Sequence, residues 1–167
     1  RAMIDPATED SAAAIDYFFQ AIKPSKDMVV AAYCAKGREF DPYPILEQLL
    51  KQDIACALPV VQDGSLELRF AIFDDSTQLV KGPFNVLQPP VNADTQWAEP
   101  DIIIVPLLAF DRRGYRLGHG GGYYDATLAA LRARKDIVAV GVAYAQQACL
   151  FNLPVESHDQ KLNWVIT

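Results

Sequence analysis

Along this chain, short unbroken apolar runs alternate with stretches in which apolar residues recur at helical spacing. Ile102, Ile103, Ile104 and Val105 form a β-branched run between Pro100 and Pro106, the pattern of a strand covered on both faces, as strands of parallel sheets are. Residues 28–33, 54–59 and 137–144 read in the same way, with Gly141 permitting close packing, and residues 162–167 read as a closing strand. In 66–73, Leu66, Leu68, Phe70 and Ile72 alternate with Glu67, Arg69 and Ala71, which predicts a half-exposed antiparallel strand at an edge. Asp5 and Pro6 read as an N-cap and first helical residue, followed by an apolar stripe of Ile15, Phe18, Phe19 and Ile22. Asp41 and Pro42 read as a second such pair ahead of Ile45, Leu46, Leu49 and Leu50. A third helix carries Leu128 and Leu131, with Arg132 and Arg134 on a solvated face. Strand–helix–strand units of this kind predict right-handed crossovers onto a mostly parallel sheet. Residues 74–99, punctuated by Gly82-Pro83 and Pro89-Pro90, hold no period and predict a long loop, a feature often tied to function.

Composition narrows the function classes. With 167 residues and 51% hydrophobic content, the chain can bury one sizeable core, and one domain over 1–167 is expected. A net charge of −6 argues against a general nucleic-acid binder, since phosphate-backbone affinity comes from broadly clustered Lys and Arg. Arg112, Arg113 and Arg116 are a local exception that suits a small anionic substrate. No apolar run approaches the ~18 residues of a membrane span, and no signal-peptide pattern opens the chain, so a cytoplasmic protein without membrane partners is expected. Cys34, Cys56 and Cys149 are odd in number and lack a C-x-x-C pair, which leaves free thiols as the default.

Candidate chemistry is concentrated in Arg116-Leu117-Gly118-His119-Gly120-Gly121-Gly122, which runs into Tyr123-Tyr124-Asp125 at a predicted helix start. Glycines there let the backbone approach a ligand, and free N–H groups at a helix start favour an anion. Arg116 adds a planar cationic fork suited to phosphate oxygens. Asp125 would repel bound phosphate unless a divalent cation stood between them, and Mg²⁺ bridges carboxylate and phosphate oxygens. A glycine-rich turn with Asp125 capping a helix is the alternative reading. The loop is neither the dinucleotide fingerprint nor a Walker loop, because no G-x-G-x-x-G follows a strand directly and no Gly-Lys-Ser/Thr is present.

Asp101, Pro106, Phe110, Asp111, Gly114, Arg116, Leu117, Gly118, Gly120, Gly122, Tyr123, Tyr124 and Asp125 resemble, at matching spacing, the signature of the 5-formyltetrahydrofolate cyclo-ligase (methenyltetrahydrofolate synthetase) family. The resemblance implies an α/β fold: a three-layer α/β/α sandwich with a mostly parallel central sheet and an antiparallel edge. It implies ATP- and Mg²⁺-dependent cyclisation of 5-formyltetrahydrofolate to 5,10-methenyltetrahydrofolate, with release of ADP and phosphate, in a monomer that binds no nucleic acid. Family members carry an earlier helix whose Lys and Arg reach the nucleotide phosphates; this sequence is expected to start after it, with Arg1 as a remnant.

Site roles carried over by the resemblance are as follows. Arg116 and Asp125 are catalytic, the one on phosphate and the other on Mg²⁺; Arg116, Leu117, Gly118, His119, Gly120, Gly121, Gly122, Tyr123 and Tyr124 bind ATP. Glu39 grips the pterin ring, and Phe84, His119, Gly120, Gly121, Gly122 and Tyr123 complete the folate site. Asp159 joins Asp125 on Mg²⁺. By residue type alone Glu39 would be a solvated loop residue, Asp159 a turn residue, and Phe84 either a ring stacked on the pterin or a hydrophobic plug. Trp97 reads as a core anchor. Ala126 departs from the family's common Arg, and Glu39-Phe40-Asp41-Pro42 departs mildly from its Glu-aliphatic-acid-Thr segment. His119 and His158 have no spacing that supports a catalytic dyad. Gln146 and Gln147 match a family feature with no role that the sequence reveals. The alternative function is a non-catalytic folate- or nucleotide-binding relative.

Overall fold

A computed structural model describes residues 11–167; the readings placed on Arg1, Asp5 and Pro6 lie outside these. In chain order the elements are α1 (Ala12–Ile22), β1 (Val29–Ala31), α2 (Tyr43–Lys51), β2 (Ala55–Val60), β3 (Arg69–Phe73), β4 (Val80–Lys81), β5 (Leu87–Gln88), β6 (Trp97–Ala98), β7 (Ile102–Val105), β8 (Ala109–Asp111), β9 (Arg116–Leu117), α3 (Tyr123–Arg132), β10 (Val138–Val142), β11 (Ala148–Cys149) and β12 (Trp164–Ile166). Seven strands form the main sheet in the order β12-β10-β7-β1-β2-β3-β6. The pairs from β12 through β2 are parallel, while β2–β3 and β3–β6 are antiparallel.

The period-2 rule explains how one run of apolar residues serves two cores. In β7, Ile102 and Ile104 join the layer built with Phe18 of α1 and Ile45, Leu46 and Leu49 of α2. Ile103 and Val105 join the opposite layer, with Leu128 and Leu131 of α3. All four are buried, as an unbroken β-branched run predicts. Helices therefore cover both faces, giving the expected three-layer sandwich. Among the described residues, no helix is long and apolar enough to cross a membrane.

Three expectations change. First, β3 is antiparallel but not at the edge, because β6 pairs beyond it. Nor is it half-exposed: Phe70 and Phe73 point into opposite cores and Ala71 is buried as well. Second, Pro42 is the N-cap of α2; Asp41 acts one residue earlier, its Oδ1 accepting the Tyr43 N–H at 3.0 Å. Third, Arg132 is only partly solvated. Its guanidinium donates to Gln160 Oε1 at 3.0 Å, Lys161 O at 2.7 Å and Asn163 Oδ1 at 3.0 Å, clamping α3 to the segment before β12.

Buried polar groups fix the connections that leave the sheet. Asp111 ends β8 with its side chain fully buried. It accepts from Arg113 Nε and Nη2 at 3.0 and 2.8 Å, and from the backbone N–H groups of Arg113, Tyr115 and Leu153 at 2.9, 3.2 and 3.0 Å. Burial works hardest against its charge, yet the Arg113 and backbone bonds together hold its carboxyl below the ordinary value. Gln147, also buried, accepts the Tyr144 N–H at 2.7 Å and donates to Leu107 O and Leu108 O at 3.0 and 3.2 Å. This supplies the role that the sequence leaves open: it ties the end of β10 to the chain leaving β7. At the other end of the sheet, Asp101 accepts the Val29 N–H at 2.8 Å and the Lys135 ammonium at 2.6 Å.

Gly141 sits where the sheet meets α3's layer, and a Cβ there would come within 2.7 Å of Leu107 and 2.8 Å of Leu162. Gly141→Ala should therefore lower stability by about 1–3 kcal/mol through overpacking, read as a reduced urea midpoint with an unchanged slope. Asp111→Asn should cost about 3 kcal/mol at pH 7, because it leaves Arg113 without its buried partner. A depressed carboxylate stabilises the fold above its unfolded value of about 4 and loses that contribution as pH falls through the lower folded value. The gap between wild type and Asp111→Asn should therefore narrow below about pH 4 in urea titrations, and a constant gap down to pH 2 would contradict the assignment.

Candidate functional site

The order of the strands decides where a ligand can sit. From β1 the chain steps to β2 on one side; β7 then pairs on the other side of β1 and the chain moves outward through β10 to β12. Connections leaving the carboxyl ends of β1 and β7 thus part in opposite directions and leave a crevice, the place where open α/β sheets bind ligands. One of these connections carries Glu39; the other carries the glycine loop.

After β7 the chain makes the short β8–β9 hairpin, with Ala109 paired to Leu117 and Phe110 to Arg116. Residues 118–121 follow, and Gly122 caps α3 with φ +71°, a left-handed conformation suited to glycine. Among the described residues, Gly118, His119, Gly120 and Gly121 make no backbone–backbone hydrogen bond. Their N–H groups are available to an anion next to the positive end of α3.

Arg116 and Asp125, assigned separate duties from sequence, meet each other here. Nη1 and Nη2 of Arg116 donate to Oδ1 and Oδ2 of Asp125 at 3.0 and 3.2 Å, and the Gln160 N–H donates to Oδ1 at 2.8 Å. The Arg116 side chain is 5% exposed, and its Nε is buried with no hydrogen-bond partner. A buried donor of this kind is costly and uncommon. The Gln160 bond also draws the backbone beside Asp159 against Asp125. Asp159 itself accepts the Glu156 N–H at 2.8 Å and lies 3.8 Å from His158 Nε2. Among the described residues, no group of three or more His, Cys, Asp or Glu side chains is placed to hold a metal ion.

Glu39 and the glycine loop are in contact. His119 Nε2 lies 2.9 Å from Glu39 Oε1, and the Lys36 N–H donates to Oε2 at 2.6 Å. The Lys36 ammonium donates to Phe84 O at 2.7 Å. The Phe84 ring meets Tyr123 edge-on at 5.9 Å. Phe84 is largely exposed and adopts φ +59°, and Asn85 follows at φ +56°. For a bulky residue that is a strained conformation, of a kind that collects at ligand sites. Glu39, Phe84, His119 and Tyr123 thus come together as one rim. Tyr124 is packed behind it, touching both cores, and burial pushes its hydroxyl pKa up while Arg116 draws it partly back. Leu117 pairs in the hairpin with its side chain half-exposed.

Lys36 is the site residue that sequence reasoning missed. Its place in a loop at the carboxyl end of a predicted strand was the available signal. Leu66, exposed and facing Gly122, is a second, and no sequence signal marked it. Trp97 is not part of the rim: it sits in β6 under the Arg69 guanidinium, 3.7 Å from its ring centre. Cys34, at the end of β1, is pushed up to about 11 by burial and Cys56 to about 12, so neither is a ready nucleophile. A cleft of about 350 Å³ at the amino ends of the strands, lined in part by Asp27, Asp101 and Trp164, lies away from all these groups.

Comparison with known proteins gives the family. The chain matches the 5-formyltetrahydrofolate cyclo-ligase family over residues 1–167. It is 32% identical over 174 aligned residues to the 5-formyltetrahydrofolate cyclo-ligase of Mycolicibacterium smegmatis, spanning 100% of this chain and 87% of that one. It is 34% identical over 142 residues to the enzyme of the same name from Escherichia coli K12, spanning 83% and 76%. The solution structure of Aquifex aeolicus 5,10-methenyltetrahydrofolate synthetase superposes with a TM-score of 0.72 at 30% identity, over 93% of this chain and 76% of that one. The Mycoplasma pneumoniae synthetase shares the fold at a TM-score of 0.71 and 20% identity, over 98% and 89%. With its strand order, its glycine loop and these matches in agreement, the chain belongs to the 5-formyltetrahydrofolate cyclo-ligase family.

Proposed function

We propose that this chain carries out its family's reaction, the ATP-dependent closure of 5-formyltetrahydrofolate to 5,10-methenyltetrahydrofolate with release of ADP and phosphate. One observation carries the reading: the loop whose N–H groups suit phosphate and the carboxylate suited to a pterin meet at the switch point, with the His119 imidazole Nε2 2.9 Å from Glu39 Oε1. Glu39 accepts two pterin N–H bonds and fixes the ring. Phe84 and Tyr123 flank it. The amides of residues 118–122 hold the triphosphate, and Arg116 stabilises the charge that develops on the transferring phosphoryl group.

The formyl oxygen is amide-like and a poor leaving group. Transfer of the γ-phosphoryl group to it forms an imidate phosphate and releases ADP. N10 then attacks the activated formyl carbon, phosphate departs with the oxygen, and N10 loses its proton. No protein nucleophile is needed, so the side chains act by positioning and charge.

Mg²⁺ would be held by Asp125 and Asp159. The arrangement supports this fit in outline. Asp125 Oδ1 takes two donors and Oδ2 one, which leaves a lone pair on Oδ2, and Asp159 adjoins Gln160, whose N–H reaches Asp125. One oxygen from each, with water and phosphate oxygens for the rest, is how Mg²⁺ is commonly bound. When bound, the ion supplies charge neutralisation for the phosphates. Compartment and assembly follow the same reading: a cytoplasmic monomer acting on small substrates.

The test is the appearance of methenyltetrahydrofolate absorbance from 5-formyltetrahydrofolate with ATP and MgCl₂. Activity should vanish with chelator and return with excess Mg²⁺; unchanged turnover in Asp125→Ala would sink the metal assignment. Arg116→Ala should lower kcat by about 10²–10³-fold, and Glu39→Gln should raise the folate KM roughly tenfold or more. Folate binding without turnover under any nucleotide would favour the non-catalytic relative.

A further inference from the structure

His119 bridges two sites that the reading above assigns to different substrates. Its imidazole comes from the glycine loop, and its partner, Glu39, comes from the connection after β1. The Glu39 side chain is 8% exposed and His119 is 40% exposed, so the imidazole is the solvent-facing member of the pair. The carboxylate does not need His119 for its own orientation, since the Lys36 N–H holds Oε2 from within the same loop at 2.6 Å.

The loop around His119 has room to move. A Cβ added to Gly118 or Gly120 would meet no atom within 4 Å. Among the described residues, 118–121 make no backbone–backbone hydrogen bond. The His119–Glu39 contact is thus a cross-tie on a segment that is otherwise loosely attached. An anion gathered by the N–H groups of residues 118–122 acts on backbone that, over 118–121, no backbone hydrogen bond among the described residues holds in place, and the imidazole rides on that backbone.

We propose that His119 couples the two substrate sites: it covers Glu39 while the glycine loop is free of phosphate, and phosphate binding to the loop withdraws it and opens Glu39 to the pterin. This rests on the folate and nucleotide assignments made above. His119 acts through Glu39 and the loop, as a positioning residue. Coupling of this kind is a differential affinity between two loop arrangements and is reciprocal, so folate would raise nucleotide affinity by the same factor.

The experiment measures the Kd of 5-formyltetrahydrofolate by calorimetry with and without the non-hydrolysable ATP analogue adenosine 5′-(β,γ-imido)triphosphate, in MgCl₂, for wild type, His119→Ala and His119→Gln. Wild type should bind folate at least about fivefold tighter with the analogue, the lower end of typical coupling factors. His119→Ala should bind folate without analogue as tightly as wild type does with it, and gain less than about twofold on adding it. His119→Gln, which keeps a donor near the position of Nε2, should retain most of the coupling. The same analogue effect in wild type and His119→Ala would overturn the proposal while leaving the folate site intact. Failure of wild type to bind folate under either condition would overturn the folate reading and this coupling with it.

Discussion

Everything in this molecule depends on the pairing of β1 with β7, in which Val30 meets Ile102 and Ala31 meets Ile103. These strands are neighbours in the sheet and far apart in the chain, and each continues away from the other. A crevice at their carboxyl ends is a geometric result of that choice. So is the placement of α2 and α3 on opposite faces, because right-handed crossovers running in opposite directions cover opposite sides. Core and site therefore have a common origin: the buried run that supplies both apolar layers is also the strand that launches the glycine loop.

Much of this was legible in the sequence, for physical reasons that differ between elements. The run Ile102–Val105 could only be a strand buried on both faces, and it is. The stripes in α1 and α2 identified their buried sides correctly, with Phe18, Ile45, Leu46 and Leu49 fully enclosed. Reading failed where partners are remote. Arg132 looked solvated because Gln160, Lys161 and Asn163, which take its donors, lie on another segment. Alternation in 66–73 suggested one wet face, but a further strand and a second core cover it. Asp111 is a further case, since a buried Asp and an exposed one look alike until the five donors around it are seen.

The same distinction applies to the site. The residue types and spacing of the glycine loop pointed to an anion, and the family signature supplied names for the roles. Neither could say that Arg116 and Asp125 face each other, that Gln160 locks Asp125, or that His119 reaches Glu39. Two signature residues, Asp101 and Asp111, are structural: one staples β7 to β1 and the other holds the hairpin that aims the loop. A signature thus mixes residues that touch a ligand with residues that hold those residues in place, and only geometry separates them.

The Arg116–Asp125 pair also bears on how a polyanion reaches this surface. A guanidinium that is 5% exposed and neutralised at 3.0 Å by a carboxylate projects almost no field into solvent. The chain as a whole carries −6, so at low ionic strength, where the Debye length reaches about 30 Å, an incoming triphosphate is repelled on balance. Capture is then a matter of short-range fit to the loop, and encounter quickens as added salt screens the repulsion, the reverse of electrostatically steered binding.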